Sequence, residues 1–132
     1  MSLSDSRVGA TLAVSDLQRA RGFYEETLGL TPQQDMGEQD GQGAVIYGAG
    51  GDTTLFVYTS QHAGTNQATG ATWEVSDLDS TVDELAGKGV EFERYPEIAE
   101  VDERGIHKLD EMGRGVWFKD PDGNIISVGQ FG

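Results

Sequence analysis

A chain of 132 residues, 36% of them hydrophobic, is long enough for one domain with a packed core. Its 23 acidic and 9 basic residues give a formal net charge of −14, which argues against nucleic-acid and anionic-membrane partners. The lack of cysteine excludes disulfides, thiolate metal sites and a cysteine nucleophile, and the sequence shows neither a membrane span nor a secretory leader, so we expect a cytoplasmic protein.

The first predicted elements are a strand over residues 10–14 and a helix over residues 17–28. The strand shows the alternation of a half-buried element, in the order Ala10, Thr11, Leu12, Ala13, Val14. Ser15-Asp16 supplies N-cap chemistry for the helix, and Gly29 is typical of the residue that follows a helix end.

Short strands are predicted next, near residues 31–36, 43–48 and 53–59. The glycine-rich segment Gly50-Gly51-Asp52 predicts a turn before the last of them. Residues 60–69 are small and polar, which predicts a linker at the end of the first half of the chain.

The second half begins as the first does, because residues 70–78 read GATWEVSDL where residues 9–17 read GATLAVSDL. Such a match indicates two copies of one unit. A second helix is predicted over 78–86, a charged loop over 97–114, and strands near 90–95, 115–119 and 124–130. We therefore predict the α+β class, with two βαβββ modules at about 7–60 and 68–131 in one domain.

Three segments resemble the vicinal oxygen chelate superfamily: Val14-Ser15-Asp16-Leu17, Phe23-Tyr24, and the turn Asp120-Pro121-Asp122-Gly123-Asn124. That superfamily contains glyoxalase I, extradiol dioxygenases, fosfomycin resistance enzymes and bleomycin resistance proteins. The resemblance covers nearly the whole chain and implies a glyoxalase/bleomycin-resistance-type fold, in which two curved sheets face each other across a cleft. It also implies a homodimer, but the fold alone does not settle the chemistry.

Metal-dependent members that resemble glyoxalase I hold a divalent ion with four side chains, usually His, Glu or Gln. Carried onto this chain, the four positions are Gly9, Phe56, Gly70 and Ser127. This set cannot supply the nitrogen and oxygen ligands that such an ion needs, so we expect neither a metal nor another cofactor. His62 lies in the polar linker and His107 in the charged loop, neither at a matching strand position, and His107 is expected to be solvated.

Strand alternation, counted from these four positions, predicts which side chains face the cleft. The predicted ligand-binding residues are Phe56, Tyr58, Thr72, Glu74, Trp117 and Ser127, together with Asn66 of the linker. The aromatic rings suit a planar ligand, although such rings also commonly fill a core, and Asn66 can serve as a loop cap. Glu74, in a strand of buried character, needs a ligand or a salt bridge, for example to Arg94 or Arg114.

These observations favour a small-molecule-binding protein without catalysis, similar to the bleomycin resistance proteins, with an aromatic or cationic ligand. The alternative is a metal-free isomerase or lyase in which Glu74 acts as the catalytic base, and a third possibility is a metal-dependent lyase or dioxygenase with displaced ligands. The acidic charge fits either a solvated coat of a salt-adapted protein or the steering of a cation.

Overall fold

The computed structural model describes residues 3–131, which contain nine strands and two α-helices. The first module holds β1 (Ala10–Val14), β2 (Thr31–Gln39), β3 (Gln42–Gly48) and β4 (Thr54–Thr59). The second holds β5 (Thr69–Glu74), β6 (Glu100–Val101), β7 (His107–Lys108), β8 (Arg114–Lys119) and β9 (Ile125–Gln130). The predicted α+β class and the two-module layout are confirmed. Within the described residues, no helix has the length and apolar character needed to span a membrane.

Both predicted helices are present, and an aspartate caps each of them. Helix α1 (Leu17–Arg21) begins after Asp16, whose side chain accepts from the Arg19 backbone N–H, and it continues as a π-helical segment over Gly22–Thr27. Helix α2 (Leu78–Gly87) begins after Asp77, which accepts from Ser80 in the same way. Each carboxylate satisfies a backbone donor that has no partner within its helix.

The strands form two sheets of the same plan, with the orders β1-β4-β3-β2 and β5-β9-β8-β7-β6. The pairs β1–β4 and β5–β9 are parallel, and the other ladders are antiparallel. Strands β1 and β5 lie edge to edge without a hydrogen-bonded ladder between them. We call the line where these two strands meet the seam.

The second module departs from the predicted elements after α2. Residues 90–95 contribute only one isolated bridge, between Phe92 and Phe118, whereas the predicted loop over 97–114 contains β6 and β7. The turn between these two strands is stabilised by Asp102, whose Oδ1 accepts the backbone N–H groups of Arg104 and Ile106. Local turn chemistry of this kind can order a charged segment that has no apolar periodicity.

One face of each sheet packs against the helices, and the buried core runs without interruption through both modules. Core residues of the first module include Leu12, Val14, Tyr24, Tyr47 and Val57, and those of the second include Leu78, Val82, Phe118, Ile126 and Val128. We call the opposite, helix-free face of each sheet its open face. Because side chains alternate along a strand, residues between the core positions point to the open faces.

The turn between β8 and β9 fastens the second module to the first. Asp120, only 5% exposed, accepts from the hydroxyl of Tyr24 at 2.7 Å and from the backbone N–H groups of Asp122 and Asn124. The carboxylate of Asp122 in turn accepts from the backbone N–H of Ser15. These hydrogen bonds satisfy the buried carboxyl group of Asp120 and hold the turn in a fixed position against the first module.

Candidate functional site

The open face of the first sheet presents aromatic side chains to solvent. In the register of β1 and β4, Thr11 lies opposite Phe56, and Ala13 lies opposite Tyr58. Phe56 is 44% exposed and Tyr58 is 42% exposed, although large aromatic side chains are usually well buried. Both rings point to the open face, and their contact with a ligand stays a prediction.

The open face of the second sheet aligns three of the predicted residues across neighbouring strands. Ser127 of β9 lies between Thr72 of β5 and Trp117 of β8 in the strand register. Trp117 is half-buried, and its indole N–H donates to the hydroxyl of Thr69 at 3.1 Å. Phe118 is buried against the helices, so Trp117 points to the open face, and its contact with a ligand stays a prediction.

Two features of this open face were missed at the level of sequence. The ring of Phe131 lies against Gly129, where any side chain would collide with it. Tyr95 packs edge-on to Trp117, with ring centroids 5.7 Å apart, and burial raises the pKa of its hydroxyl, with smaller contributions from the charges of Glu93 and Glu97. Phe131 follows the last strand, and Tyr95 lies at the end of the predicted strand over 90–95, where the structure has one isolated bridge at Phe92, so strand alternation did not reveal either residue.

The expectation that His107 is solvated is wrong, because its side chain is fully buried. It faces Gly115 in the register of β7 and β8, which leaves room for the ring beneath Trp117 at a centroid distance of 4.8 Å. Nε2 accepts the Tyr95 backbone N–H, and Nδ1 lies 3.0 Å from the carbonyl oxygen of Gly105. Both ring nitrogens are therefore occupied within the protein, in the pattern of a neutral imidazole.

The expected burial of Glu74 is also wrong, since its side chain is exposed at the last position of β5. Its neighbour in the register is Gly129, which has no side chain to cover it. Arg94 donates to the carbonyl oxygen of Asp102, and Arg114 pairs with Asp79. Within residues 3–131, Glu74 has no ion-pair partner.

Glu74 borders a cavity of about 470 Å³ at one end of the seam. The cavity lies between the start of β1, the turn before β4 and the end of β5, and its lining includes Val8, Gly9, Thr54, Thr72, Trp73 and Glu74. We call it the Glu74 cavity. Small residues form much of its wall, and Glu74 is the one ionisable side chain among the described residues that line it.

A second cavity of about 320 Å³ lies at the opposite end of the seam, beneath the linker. Its lining includes Thr11, Tyr58, His62, Asn66, Gly70 and Asn124. Asn66 accepts the Ala68 backbone N–H through its side chain, so part of its hydrogen-bonding capacity stabilises the linker. The predicted site residues are thus divided: Thr72 and Glu74 lie at one end of the seam, Tyr58 and Asn66 at the other, and Phe56, Trp117 and Ser127 on the open faces.

The four positions of the superfamily's metal ligands do not fit a divalent ion here. Gly9 and Phe56 carry no donor atom, and Ser127 offers one neutral hydroxyl. Gly70, predicted to face the cleft, lies at a bulge of β5, and a Cβ atom there would approach Leu12 at 2.6 Å on the neighbouring strand. In the described part of the chain, no three His, Asp or Glu side chains form a cluster that could hold a metal.

Comparison with known proteins places this geometry among known folds. A family model, the Glyoxalase/Bleomycin resistance protein/Dioxygenase superfamily, matches residues 8–128. No protein of curated function matches the chain.

The chain is also similar to solved structures over nearly its full length. TnmS3, an antibiotic binding protein from Streptomyces sp. CB03234, is 24% identical, with 96% of each chain covered and a TM-score of 0.71. A glyoxalase/bleomycin resistance protein from the same organism is 25% identical, with 95% of this chain and 100% of that chain covered and a TM-score of 0.68. Another, from Catenulispora acidiphila DSM 44928, is 25% identical, with 96% and 98% covered and a TM-score of 0.68.

Proposed function

We propose that this chain, which belongs to the Glyoxalase/Bleomycin resistance protein/Dioxygenase superfamily, binds a small organic cation in the Glu74 cavity without catalysing a reaction on it. One observation carries the proposal: an exposed carboxylate without an ion-pair partner, within residues 3–131, borders the 470 Å³ cavity. A cavity of several hundred Å³ with one charged group among small and apolar residues is typical of small-molecule sites. The fold is shared with an antibiotic binding protein, TnmS3, so it is compatible with such a role.

The chemistry around Glu74 favours binding over proton abstraction. A catalytic base acts best when burial or charged neighbours adjust its proton affinity and when a second group stabilises the charge that develops. Glu74 is exposed, and the other polar side chains of the cavity wall are three threonines. The hydroxyl of Thr53 donates to the carbonyl oxygen of Gly50, which leaves those of Thr54 and Thr72 for a ligand. This arrangement offers electrostatic attraction to a cation and hydrogen bonds from two hydroxyls, which is enough for recognition.

Trp73 in the wall of the Glu74 cavity supports a planar apolar body for the ligand, and the exposed rings of the open face, outside that cavity, support a second copy of the chain as partner. Phe56 and Tyr58 leave apolar surface in contact with water, which a homodimer or a stacked ligand would cover. The net charge of −14 attracts a cation and repels an anion of the same shape. We also propose that the chain forms a homodimer and that it is cytoplasmic.

Two planar probes of opposite charge test the proposal, proflavine as cation and anthraquinone-2-sulfonate as anion. We expect saturable binding of proflavine by isothermal titration calorimetry, and an affinity about tenfold lower in Glu74→Gln, since a charge-assisted contact contributes about 1.4 kcal/mol. The matched control is Glu103→Gln, which removes the same charge from an exposed loop position.

Equal proflavine affinities in the Glu74 and Glu103 variants would place the cation elsewhere on the acidic surface and contradict the proposed site. Binding of the anion as tight as that of the cation would contradict the role of charge. Retained affinity with loss of a chemical turnover in Glu74→Gln would instead identify Glu74 as a catalytic base.

A further inference from the structure

A further, smaller pocket lies on the helix-covered side of the second sheet. It has a volume of about 110 Å³ and is almost wholly apolar. Its walls from the second module are Trp73, Val75, Thr81, Leu85, Phe118 and Val128. We call it the helix-side pocket. It opens on the helix-covered face of the sheet, and Trp73 is the one described residue that lines both it and the Glu74 cavity.

The internal duplication shows how this pocket arises. The helix starts and strand registers align its six residues with positions of the first module, namely Leu12, Val14, Ala20, Tyr24, Tyr47 and Val57. Each of those six is buried, with at most 4% of its surface exposed, so the same place in the first module is filled.

Tyr24 and Tyr47 are the largest of these six buried side chains in the first module. The ring of Tyr24 lies 6.0 Å from that of Tyr47, and the Tyr24 hydroxyl reaches on to Asp120. The residue at the position of Tyr24 in the second module is Leu85, which is shorter and lacks the ring. Interiors are normally packed without voids, so the replacement of an aromatic ring by a branched aliphatic side chain leaves space.

Two residues of the first module, Leu28 and Leu30, form the rest of the pocket wall. The π-helical segment ends with the Leu28 N–H bonded to the carbonyl oxygen of Phe23, and Leu30 follows with its N–H bonded to that of Tyr24. These bonds fix Leu28 and Leu30 over the gap left by Leu85. Both leucines remain partly exposed, so the pocket has a mouth to solvent.

The chemistry of the pocket favours an apolar occupant. Apart from the indole N–H of Trp73, its one polar group on a side chain is the hydroxyl of Thr81, which donates to the carbonyl oxygen of Asp77. A water molecule needs two to four polar partners to be held in a cavity, and an apolar cavity of about 150 Å³ in another protein stays dry and binds benzene or xenon.

The geometry points to a binding site for one small apolar molecule, no larger than a single six-membered ring, in the helix-side pocket. The site depends on Leu85, and Glu74 does not line it, so its test is independent of the test of the proposed function. An occupant would contact side chains of both modules, which couples their packing.

Benzene is a suitable probe, followed by methyl NMR of the full chain. We expect saturable shifts of the Leu28, Leu30, Val75 and Val128 methyl signals, and a rise in the midpoint of thermal unfolding as benzene is added. In Leu85→Phe, which places a ring where the first module has Tyr24, we expect the affinity for benzene to fall at least about tenfold. Ile98→Phe adds a ring at an exposed site away from the pocket and should leave binding unchanged.

A lack of saturable shifts at these four residues would overturn the inference, as would undiminished binding in Leu85→Phe. If Leu85→Phe does not fold, Thr81→Val supplies the second test, because it changes only the partly exposed rim. Thr81→Val removes the remaining hydroxyl and should preserve or strengthen benzene binding, and a loss of affinity there would contradict an apolar site.

Discussion

The turn before β9 and the turn before β4 occupy equivalent places in the two modules, but their contacts differ. The turn before β9 reaches across the seam, where the side-chain amide of Asn124 donates to the carbonyl oxygen of Ala13 at 2.7 Å. In the turn before β4 the equivalent residue is Thr53, whose hydroxyl donates to the carbonyl oxygen of Gly50 within its own turn. The Asn124 bridge therefore lies at the end of the seam that holds the 320 Å³ cavity, whereas Thr53 makes no such bridge beside the Glu74 cavity.

This contrast shows how a duplicated unit produces a seam with two different ends. The strands, registers and helix starts are shared by both modules, because the same alternation and cap residues specify them in each. The differences lie in a few side chains that either reach the opposite module or do not. Structural attachment is concentrated in the turn before β9, which leaves the equivalent surface of the first module available for a ligand.

The largest effect is expected from removing the centre of the attached turn with Asp120→Ala. Tyr24 and Asn124 would each lose a buried acceptor, and unsatisfied buried donors cost about 1–3 kcal/mol apiece. We expect the free energy of unfolding, measured with urea, to fall by about 3 kcal/mol or more.

The control for this variant is a substitution in the turn before β4. Asp52 is exposed and has a φ of 66°, which glycine adopts without strain, so Asp52→Gly should change the stability by less than about 0.5 kcal/mol. Similar losses in the two variants would show that both turns contribute equally and would refute the asymmetry between the modules.

A smaller effect is expected from Tyr24→Phe, which keeps the ring in the core and removes its hydrogen bond to Asp120. We expect a loss of about 1–2 kcal/mol at neutral pH. Burial and the charge of Asp120 hold the pKa of Tyr24 above its ordinary value of 10.0. Its contribution is therefore complete below pH 10 and declines as pH rises above 10, where the unfolded chain ionises and the folded chain does not.

The difference in stability between the native chain and Tyr24→Phe should accordingly narrow above pH 10. Urea unfolding at pH 7, 9 and 10.5 checks this behaviour. A difference that stays constant or widens at pH 10.5 would mean that Tyr24 is not held neutral by its surroundings.

The elements that alternate strictly in sequence were predictable, and those that depend on contacts across the seam were not. The period of two in residues 10–14 and the aspartate caps of both helices gave the strands and helix starts, because these patterns report local burial and local hydrogen bonds. The orientations of Phe56 and Trp117 followed from the same alternation.

His107 and Glu74 show why the rest of the site was not predictable. A histidine in a charged loop is expected to be solvated. His107 is buried, because its neighbour on the next strand is Gly115, which has no side chain and leaves space for the ring. A glutamate in a strand reads as buried, yet its register neighbour Gly129 leaves it uncovered. In both cases burial is set by the size of the residue across the ladder, which requires the register and not only the sequence pattern.

The smallest expected effect is a salt-dependent change in the pKa of two exposed carboxylates, each of which forms an ion pair between a helix and a strand of its own module. In the first module, Asp35 has its pKa lowered chiefly by the Gly37 backbone N–H and then by Arg21. In the second, Asp79 has its pKa lowered by Arg114 and then by Arg104. Each contribution is present above the unfolded-state value near 3.8 and is lost as pH falls through the lower, folded value.

The two carboxylates should therefore respond differently to salt. Exposed ion pairs are screened over about 10 Å at 0.1 M salt, and roughly 3 Å at 1 M, whereas a short backbone hydrogen bond is not. We expect 1 M sodium chloride to raise the pKa of Asp79 toward its ordinary value more than that of Asp35, as followed by carboxyl carbon NMR between pH 2 and 6. Equal shifts would show that Arg21, and not the Gly37 N–H, dominates at Asp35, and the two modules would then use the same kind of attachment for their helices.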